Sequence, residues 1–231
     1  MRVREIADIK FAEPKATTIT WRLNTFFTKE PQTLAWIDGF GRDDVFFDVG
    51  ANVGLYSLYA AKRGCQVYAF EPIAANYHYL QKNIGLNGWF ERCVAYCCAL
   101  SDADGIDMLY LDSGAPGKSM ASYAEQVSER LTPKISRERQ GCVAFTLDSF
   151  VAKAAIPRPT HIKIDVDGLE HKVVAGAAAV IAAAKSVLIE LNPAIPQHAG
   201  LIEMMHRHGF VTRSKPVKNV ENQLFVRDGS L

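Results

Sequence analysis

The sequence predicts an α/β chain built on a doubly wound, mostly parallel sheet. From residue 31 onward, short runs rich in β-branched and aromatic residues alternate with segments of helical apolar spacing. The runs are apolar throughout rather than alternating, the pattern of strands covered on both faces. Each connecting segment is long enough for a helical crossover, which parallel neighbours require.

The elements follow in order. Pro31 to Ile37 reads as a short helix with Pro in its first turn, closing near Gly39 and Gly41. Val45-Phe46-Phe47-Asp48-Val49 is a strand, and Leu55 to Arg63 a helix stopped by Gly64. Gln66 to Phe70 is the second strand, Ala74 to Ile84 the second helix, and Cys93 to Leu100 a third apolar run. Between Ser101 and Gly141 the pattern loosens, with an extra strand at Ile106 to Leu111 and a turn-rich loop at Gly114 to Ser119. Thr146 caps a helix reaching Ala154. His161 to Val166 is a strand followed by a helix over Leu169 to Ala184, and Ser186 to Leu191 is a further strand. Leu201 to His208 is the last helix, and Phe210 to Thr212 with Gln223 to Val226 form a terminal antiparallel pair. Two regions are expected: an N-terminal helical extension or cap over 1–43, and a single doubly wound domain over 44–231.

Composition narrows the function. The chain has 231 residues, with 26 Lys plus Arg against 25 Asp plus Glu, a formal net charge of +1. That balance lacks the global basic field used against nucleic acid or anionic lipid, and the basic residues Arg213, Lys215 and Lys218 read as a solvated face. Five cysteines, with no C-x-x-C pair, fit neither a disulfide framework nor a zinc site and point to a reducing compartment. Residues 1 to 15 mix charges with isolated apolar residues, unlike a secretory leader. Val173 to Ala184 falls short of the roughly 20 residues a membrane span requires. A cytoplasmic protein without membrane or nucleic-acid partners is expected.

In an open parallel sheet, ligands sit beyond the carboxyl ends of the strands. The first strand ends in Asp48-Val49-Gly50-Ala51-Asn52-Val53-Gly54, a turn whose glycines permit tight backbone and close approach of a ligand. The second strand ends in Phe70-Glu71-Pro72, about 20 residues after Gly50, the spacing at which an acid accepts bonds from ribose hydroxyls. A dinucleotide fingerprint would need G-x-G-x-x-G, but here the middle position is Asn52, and Asp48 would repel a phosphate while pairing with an ammonium group. Adenosine joined to an amino acid, as in S-adenosylmethionine, fits these residues better.

The motifs Phe47 to Gly54, Phe70-Glu71-Pro72 with Asn76 and Asn83, Leu147-Asp148, and Ile162-Lys163-Ile164-Asp165-Val166-Asp167-Gly168-Leu169-Glu170 occur in that order over residues 44 to 192. Together they resemble the FkbM family of S-adenosylmethionine-dependent methyltransferases, with Asp167 standing where the family usually has Glu. The resemblance implies a class I methyltransferase (Rossmann-like) fold, whose sheet has seven strands with the last antiparallel. It also implies methyl transfer to a hydroxyl of a sugar, glycan or natural product. By the same resemblance Asp48, Gly50, Asn52 and Gly54 surround the methionine moiety, Glu71 binds the ribose and Asp102 lies near the adenine amino group. Substrate recognition is expected in Trp21 to Glu30 and Ser113 to Ser122, outside the matched motifs.

A neutral hydroxyl is a weak nucleophile, so a base or a pKa-lowering cation is expected on the acceptor side. Candidates are Asp165, Lys163 and Glu190, with Asp165 the first choice as base or orienter. Strand alternation points Lys163 and Asp165 the same way, so Lys163 can pair with Asp165 or with Glu190. Asp165, Asp167 and Asn192 form an oxygen-rich set of the kind that holds magnesium, but the resemblance calls for no metal and none is assigned. Glu170 reads as a cap or pairing residue at a helix start, and His171 as the one histidine near the site. Two other readings stay open: an NAD-dependent oxidoreductase, and a non-catalytic cofactor-binding interaction module. The acceptor is a small molecule or glycan, and a homo-oligomer is left open.

Overall fold

A computed structural model describes residues 2–15, 18–213 and 221–227. The chain is α/β and forms two compact units, Met1–Cys97 with Ser113–Ser119, and Cys98–Asp112 with Met120–Leu231.

The first unit opens with an antiparallel hairpin, β1 (Arg2–Ile6) and β2 (Ile9–Glu13). Ala7 and Asp8 make its two-residue turn, both with positive φ, as the twist of such a hairpin demands. Helices α1 (Thr18–Asn24) and α2 (Pro31–Asp38) follow. The expected helical extension is therefore only partly helical. Its hairpin escapes a periodicity reading because β2 buries four of its five residues and does not alternate.

Three parallel strands form this unit's sheet: β3 (Val45–Val49), β4 (Gln66–Phe70) and β5 (Cys93–Tyr96). They are linked by α3 (Leu55–Arg63) and α4 (Ala74–Leu86). Phe46, Phe47, Val49, Val67 and Phe70 are buried, and Phe47 meets Tyr68 and Phe70 edge-on at 5.4 and 5.7 Å. Asn76 and Asn83 are seven residues apart on α4, hence on one face, and both are buried. Asn83 accepts from Ala12 N at 2.7 Å and donates to Val53 O at 2.8 Å, tying β2 to the loop that follows β3.

The second unit holds an accessory sheet and a second set of sheet strands. The accessory sheet has the order β6 (Ala99–Leu100), β9 (Glu138–Phe145), β7 (Gly105–Leu111), β8 (Ala121–Tyr123). The apolar run Cys93–Leu100 is thus two strands that pair with different partners, β5 with β4 and β6 with β9. Helix α5 (Leu147–Ala154) starts at Thr146, whose side chain accepts from Ser149 N. Strands β10 (His161–Ile164) and β11 (Ser186–Leu191) are parallel. The predicted helix between them is broken at Gly176 into α6 (Glu170–Ala175) and α7 (Ala178–Ile181). A Cβ on Gly176 would lie 2.1 Å from Ser101 O, so the backbone approaches β6 too closely for any side chain. Asp148 then caps α7 by accepting from Ala179 N and Val180 N.

Helix α8 (Pro196–Arg207) begins earlier than its apolar spacing suggests, with Pro in its first turn. The chain ends with β12 (Phe210–Thr212) and β13 (Glu221–Arg227), an antiparallel pair as expected, with β13 also antiparallel to β11. The last strand, β13, is antiparallel to its neighbour β11, as the resemblance implies. Lys215 and Lys218 lie outside the described residues. Among the described residues, no helix is long and apolar enough to cross a membrane.

Candidate active site

In the first unit the loop between β3 and α3 is bonded to the end of β4. Gly50 N and Ala51 N both donate to Phe70 O at 3.0 Å. Three of five successive residues have positive φ, Gly50 (83°), Asn52 (52°) and Gly54 (88°), a run that only Gly and Asn take up at low cost. A Cβ on Gly54 would also sit 2.5 Å from Leu80 Cδ1, so a larger residue there requires Leu80 to shift.

Asp48, the penultimate residue of β3, is fully buried and accepts a 2.5 Å bond from Ser57 Oγ on α3. Glu71, only 3% exposed, lies beyond β4. Its Oε2 accepts from Asn52 N at 2.8 Å, and its Oε1 from Ile73 N at 2.8 Å and Asn76 Nδ2 at 3.4 Å. A buried carboxylate requires donors of this kind to offset lost hydration. Asp48, Gly50, Asn52, Gly54 and Glu71 are therefore gathered around one loop.

The segment Ser113–Ser119 belongs to the same unit and lies on this loop. Lys118 O accepts from Asn52 Nδ2 at 2.9 Å and from Asn76 Nδ2 at 2.8 Å, while Gly117 N donates to Asn76 Oδ1 at 2.7 Å. Arg22 Nε donates to Gly117 O at 2.7 Å, bringing α1 to the same segment. Asn76 is a residue that sequence reasoning quoted without a role. It joins Glu71 to a segment some 40 positions on, which no local signal announces.

In the second unit, β10 and β11 deliver a charged cluster at their carboxyl ends. Lys163 is fully buried, and its Nζ lies 2.6 Å from Asp165 Oδ2, so the expected same-side pairing is with Asp165. Breaking a buried pair of this kind costs about 3–5 kcal/mol, because it strands one charge. Asp165, beside Glu190, together with burial, pushes the Glu190 carboxyl up to about 9; nearby Glu170 adds to this and Lys163 opposes it. Glu190 therefore holds a proton at neutral pH.

Gly168 and Asp167 form the turn after β10, with φ of 108° and 57°. Glu170 Oε1 accepts from Val166 N at 2.9 Å and Gly168 N at 3.2 Å, so Glu170 does cap this turn at the start of α6. The carboxylates that converge are Asp165, Glu170 and Glu190. This differs from the expected oxygen-rich set. Asp167 turns to accept from Met120 N at 2.6 Å, and Asn192 Oδ1 accepts from Ala194 N at 3.0 Å.

His198 was not singled out from sequence, because nothing in Pro196-Gln197-His198 marks it. It is buried on α8, its Nδ1 accepts from Asn192 N at 3.1 Å, and its Nε2 lies 3.1 Å from Gly168 O and 3.2 Å from Glu170 Oε2. Its neighbour His171 has a ring pKa lowered, first by burial and then by His198. Asp102 follows β6 in the second unit, where it is exposed and accepts from Ser101 Oγ at 3.0 Å.

The residues of the first unit fit S-adenosylmethionine better than a dinucleotide. Two buried carboxylates, Asp48 and Glu71, flank the loop, and its first two N–H groups are already spent on Phe70 O. A pyrophosphate would meet negative charge and find few donors there.

The chain matches the methyltransferase FkbM domain over residues 48–212. It is 27% identical over 203 residues to the AMB antimetabolite synthetase AmbE of Pseudomonas aeruginosa, covering 73% of this chain but 10% of that protein. It is 22% identical to the hexuronic acid methyltransferase AglP of Haloferax volcanii, over 76% of this chain and 67% of that one. Among solved structures it is similar in fold to magnesium protoporphyrin IX methyltransferase (ChlM) from Synechocystis PCC 6803 with bound SAM. That likeness has a TM-score of 0.54 at 10% identity, covering 94% of this chain and 87% of that one. The chain thus spans about a tenth of AmbE and two thirds of AglP. The fold, the motifs and the family match agree: this chain belongs to the FkbM methyltransferase family, with the class I methyltransferase fold and S-adenosylmethionine as the family's cofactor.

Proposed function

We propose that the chain is an S-adenosylmethionine-dependent O-methyltransferase acting on a hydroxyl of a sugar, glycan or natural product. The observation that carries this is the buried Lys163 ammonium held 2.6 Å from Asp165, a carboxylate whose side chain is still 21% exposed. The ammonium fixes the Asp165 carboxylate where an acceptor can reach it. The relative AglP, a hexuronic acid methyltransferase, supports a sugar acceptor, and the relative AmbE, an antimetabolite synthetase, supports a natural product.

On this reading Asp48, Gly50, Asn52 and Gly54 hold the methionine end of the cofactor, Glu71 takes the ribose hydroxyls and Asp102 the adenine amino group. The cofactor, when bound, supplies a methyl carbon already activated by its sulfonium. Asp165 would orient the acceptor O–H and accept its proton. Lys163 is a positioning residue that acts through Asp165. Glu190, protonated, adds a hydrogen-bond donor rather than a second negative charge. Residues 1–43 serve as an extension and 44–231 as the methyltransferase domain, in a cytoplasmic protein.

Titration with S-adenosylhomocysteine and with NAD tests the cofactor, and transfer of labelled methyl onto hexuronate glycans, natural-product alcohols and amines tests the acceptor. Binding of S-adenosylhomocysteine alone, with label on oxygen, is expected. NAD binding alone, or label on nitrogen, overturns the reading.

A further inference from the structure

We infer that Asp165, Glu170 and Glu190 form a binding site for one small divalent cation of the hard, oxygen-preferring class, represented by magnesium or manganese. One carboxylate oxygen from each of the three lies within 4.8 Å of the others. Two oxygens on opposite sides of such an ion, each roughly 2.0–2.6 Å from it, are separated by about 4–5 Å. Asp165 and Glu170 stand at the two ends of the turn between β10 and α6, and Glu190 is brought to them from β11 by the parallel pairing of β10 with β11.

A second observation points to a ligand. Glu170 is fully buried, and while its Oε1 takes two backbone N–H groups, its Oε2 forms no hydrogen bond among the described residues. His198 Nε2 lies 3.2 Å from it. Asn192 N–H donates to His198 Nδ1, which leaves the proton on Nε2, and that nitrogen hydrogen-bonds to Gly168 O. A buried carboxylate oxygen without a donor is costly. A cation among the three acids supplies what the protein does not.

Charge agrees. The groups facing the cluster are Lys163 on β10, Asp167 in the following turn, His171 on α6 and His198 on α8. Lys163 offsets the charge of Asp165, and binding of a divalent ion displaces the proton that Glu190 otherwise holds. No cysteine lies among the three, and an all-oxygen donor set favours magnesium or manganese over softer metals. Binding of the ion does not depend on the proposed reaction. Its use does rest on that reading: an ion at Asp165 would lower the pKa of the acceptor hydroxyl.

The full chain, stripped with chelator, is titrated with MnCl2 by calorimetry, and bound Mn2+ is counted by electron paramagnetic resonance. One ion per chain is expected, with a dissociation constant below about 0.1 mM, weakened at least tenfold in Glu190→Gln and in Glu170→Gln. If Glu170→Gln does not fold, Asp165→Asn replaces it. S-adenosylhomocysteine binding, measured on the same samples, is expected to be unchanged in the variants. Absence of Mn2+ binding at about 1 mM, or binding that survives Glu190→Gln unaltered, overturns the site. Mn2+ binding without S-adenosylhomocysteine binding would leave the site standing and remove the methyl-transfer reading instead.

Discussion

The backbone N–H of Asn52 donates to Oε2 of Glu71 at 2.8 Å. This bond joins the apex of the loop after β3 to the acid after β4, and so ties together the two halves of the proposed cofactor cradle. Asn76 extends the connection, because its amide reaches both Glu71 Oε1 and Lys118 O.

Glu71→Ala is expected to raise the dissociation constant for S-adenosylhomocysteine at least tenfold, about 1.4 kcal/mol. Calorimetric titration checks this. An unchanged curve would remove Glu71 from the cofactor site.

Asn76→Ala deletes the donor to Lys118 O and the acceptor for Gly117 N. The segment bearing exposed Lys118 then loses two of its ties to the unit. Trypsin should cut after Lys118 several times faster than in the parent chain, followed by mass spectrometry. Equal rates would mean that Asn52 and Arg22 suffice to hold the segment.

Gly176→Ala would place a Cβ 2.1 Å from the Ser101 carbonyl oxygen, a contact with backbone that has no rotamer to yield. A loss of about 1–3 kcal/mol is expected. The melting temperature should fall by about 2–4 °C for each kcal/mol. A variant melting with the parent would show that the break between α6 and α7 opens freely.

Glu190 gives the chelator-treated protein a defined pH dependence. Its folded pKa, raised to about 9 by Asp165 and burial, exceeds the unfolded value, so the folded state binds the extra proton. The stabilisation is complete below the unfolded pKa of about 4.3 and is lost as pH rises through the folded value. Glu190→Gln, which copies the protonated form, should flatten the fall in melting temperature between neutral pH and about 9. Parallel profiles for the two proteins would contradict the raised pKa.

Asp165→Asn should lower kcat far more than it weakens cofactor binding, if Asp165 acts on the acceptor. Equal losses in turnover and in S-adenosylhomocysteine affinity would reassign it to the cofactor.

Much of this was legible from residues alone. Leu55–Arg63 and Gln66–Phe70 were delimited correctly, because Gly64 and the change from helical to strand spacing mark their ends within a few positions. The loop at Asp48 to Gly54 and the cap at Glu170 were read for the same reason. The hairpin at the N-terminus and β9 were not, since buried or mixed strands lack alternation. His198 escaped because its partners, Asn192, Gly168 and Glu170, lie on three other segments. Oxygen-bearing residues were expected at the ends of β10 and β11, but Asp167 and Asn192 are taken up by backbone N–H groups and Glu170 enters in their place.

The order of residues was enough to establish the alternation of strand and helix, the left-handed loop after β3 and the acid that follows β4. Each depends on torsional preference and apolar spacing inside a window of ten or so positions. Folding in space selected which carboxylates meet, which of them keeps a proton, and which carbonyl Asn52 and Asn76 both grasp. Those outcomes depend on desolvation and on charges from distant segments, and neither quantity exists until the backbone has brought those segments within a few ångströms.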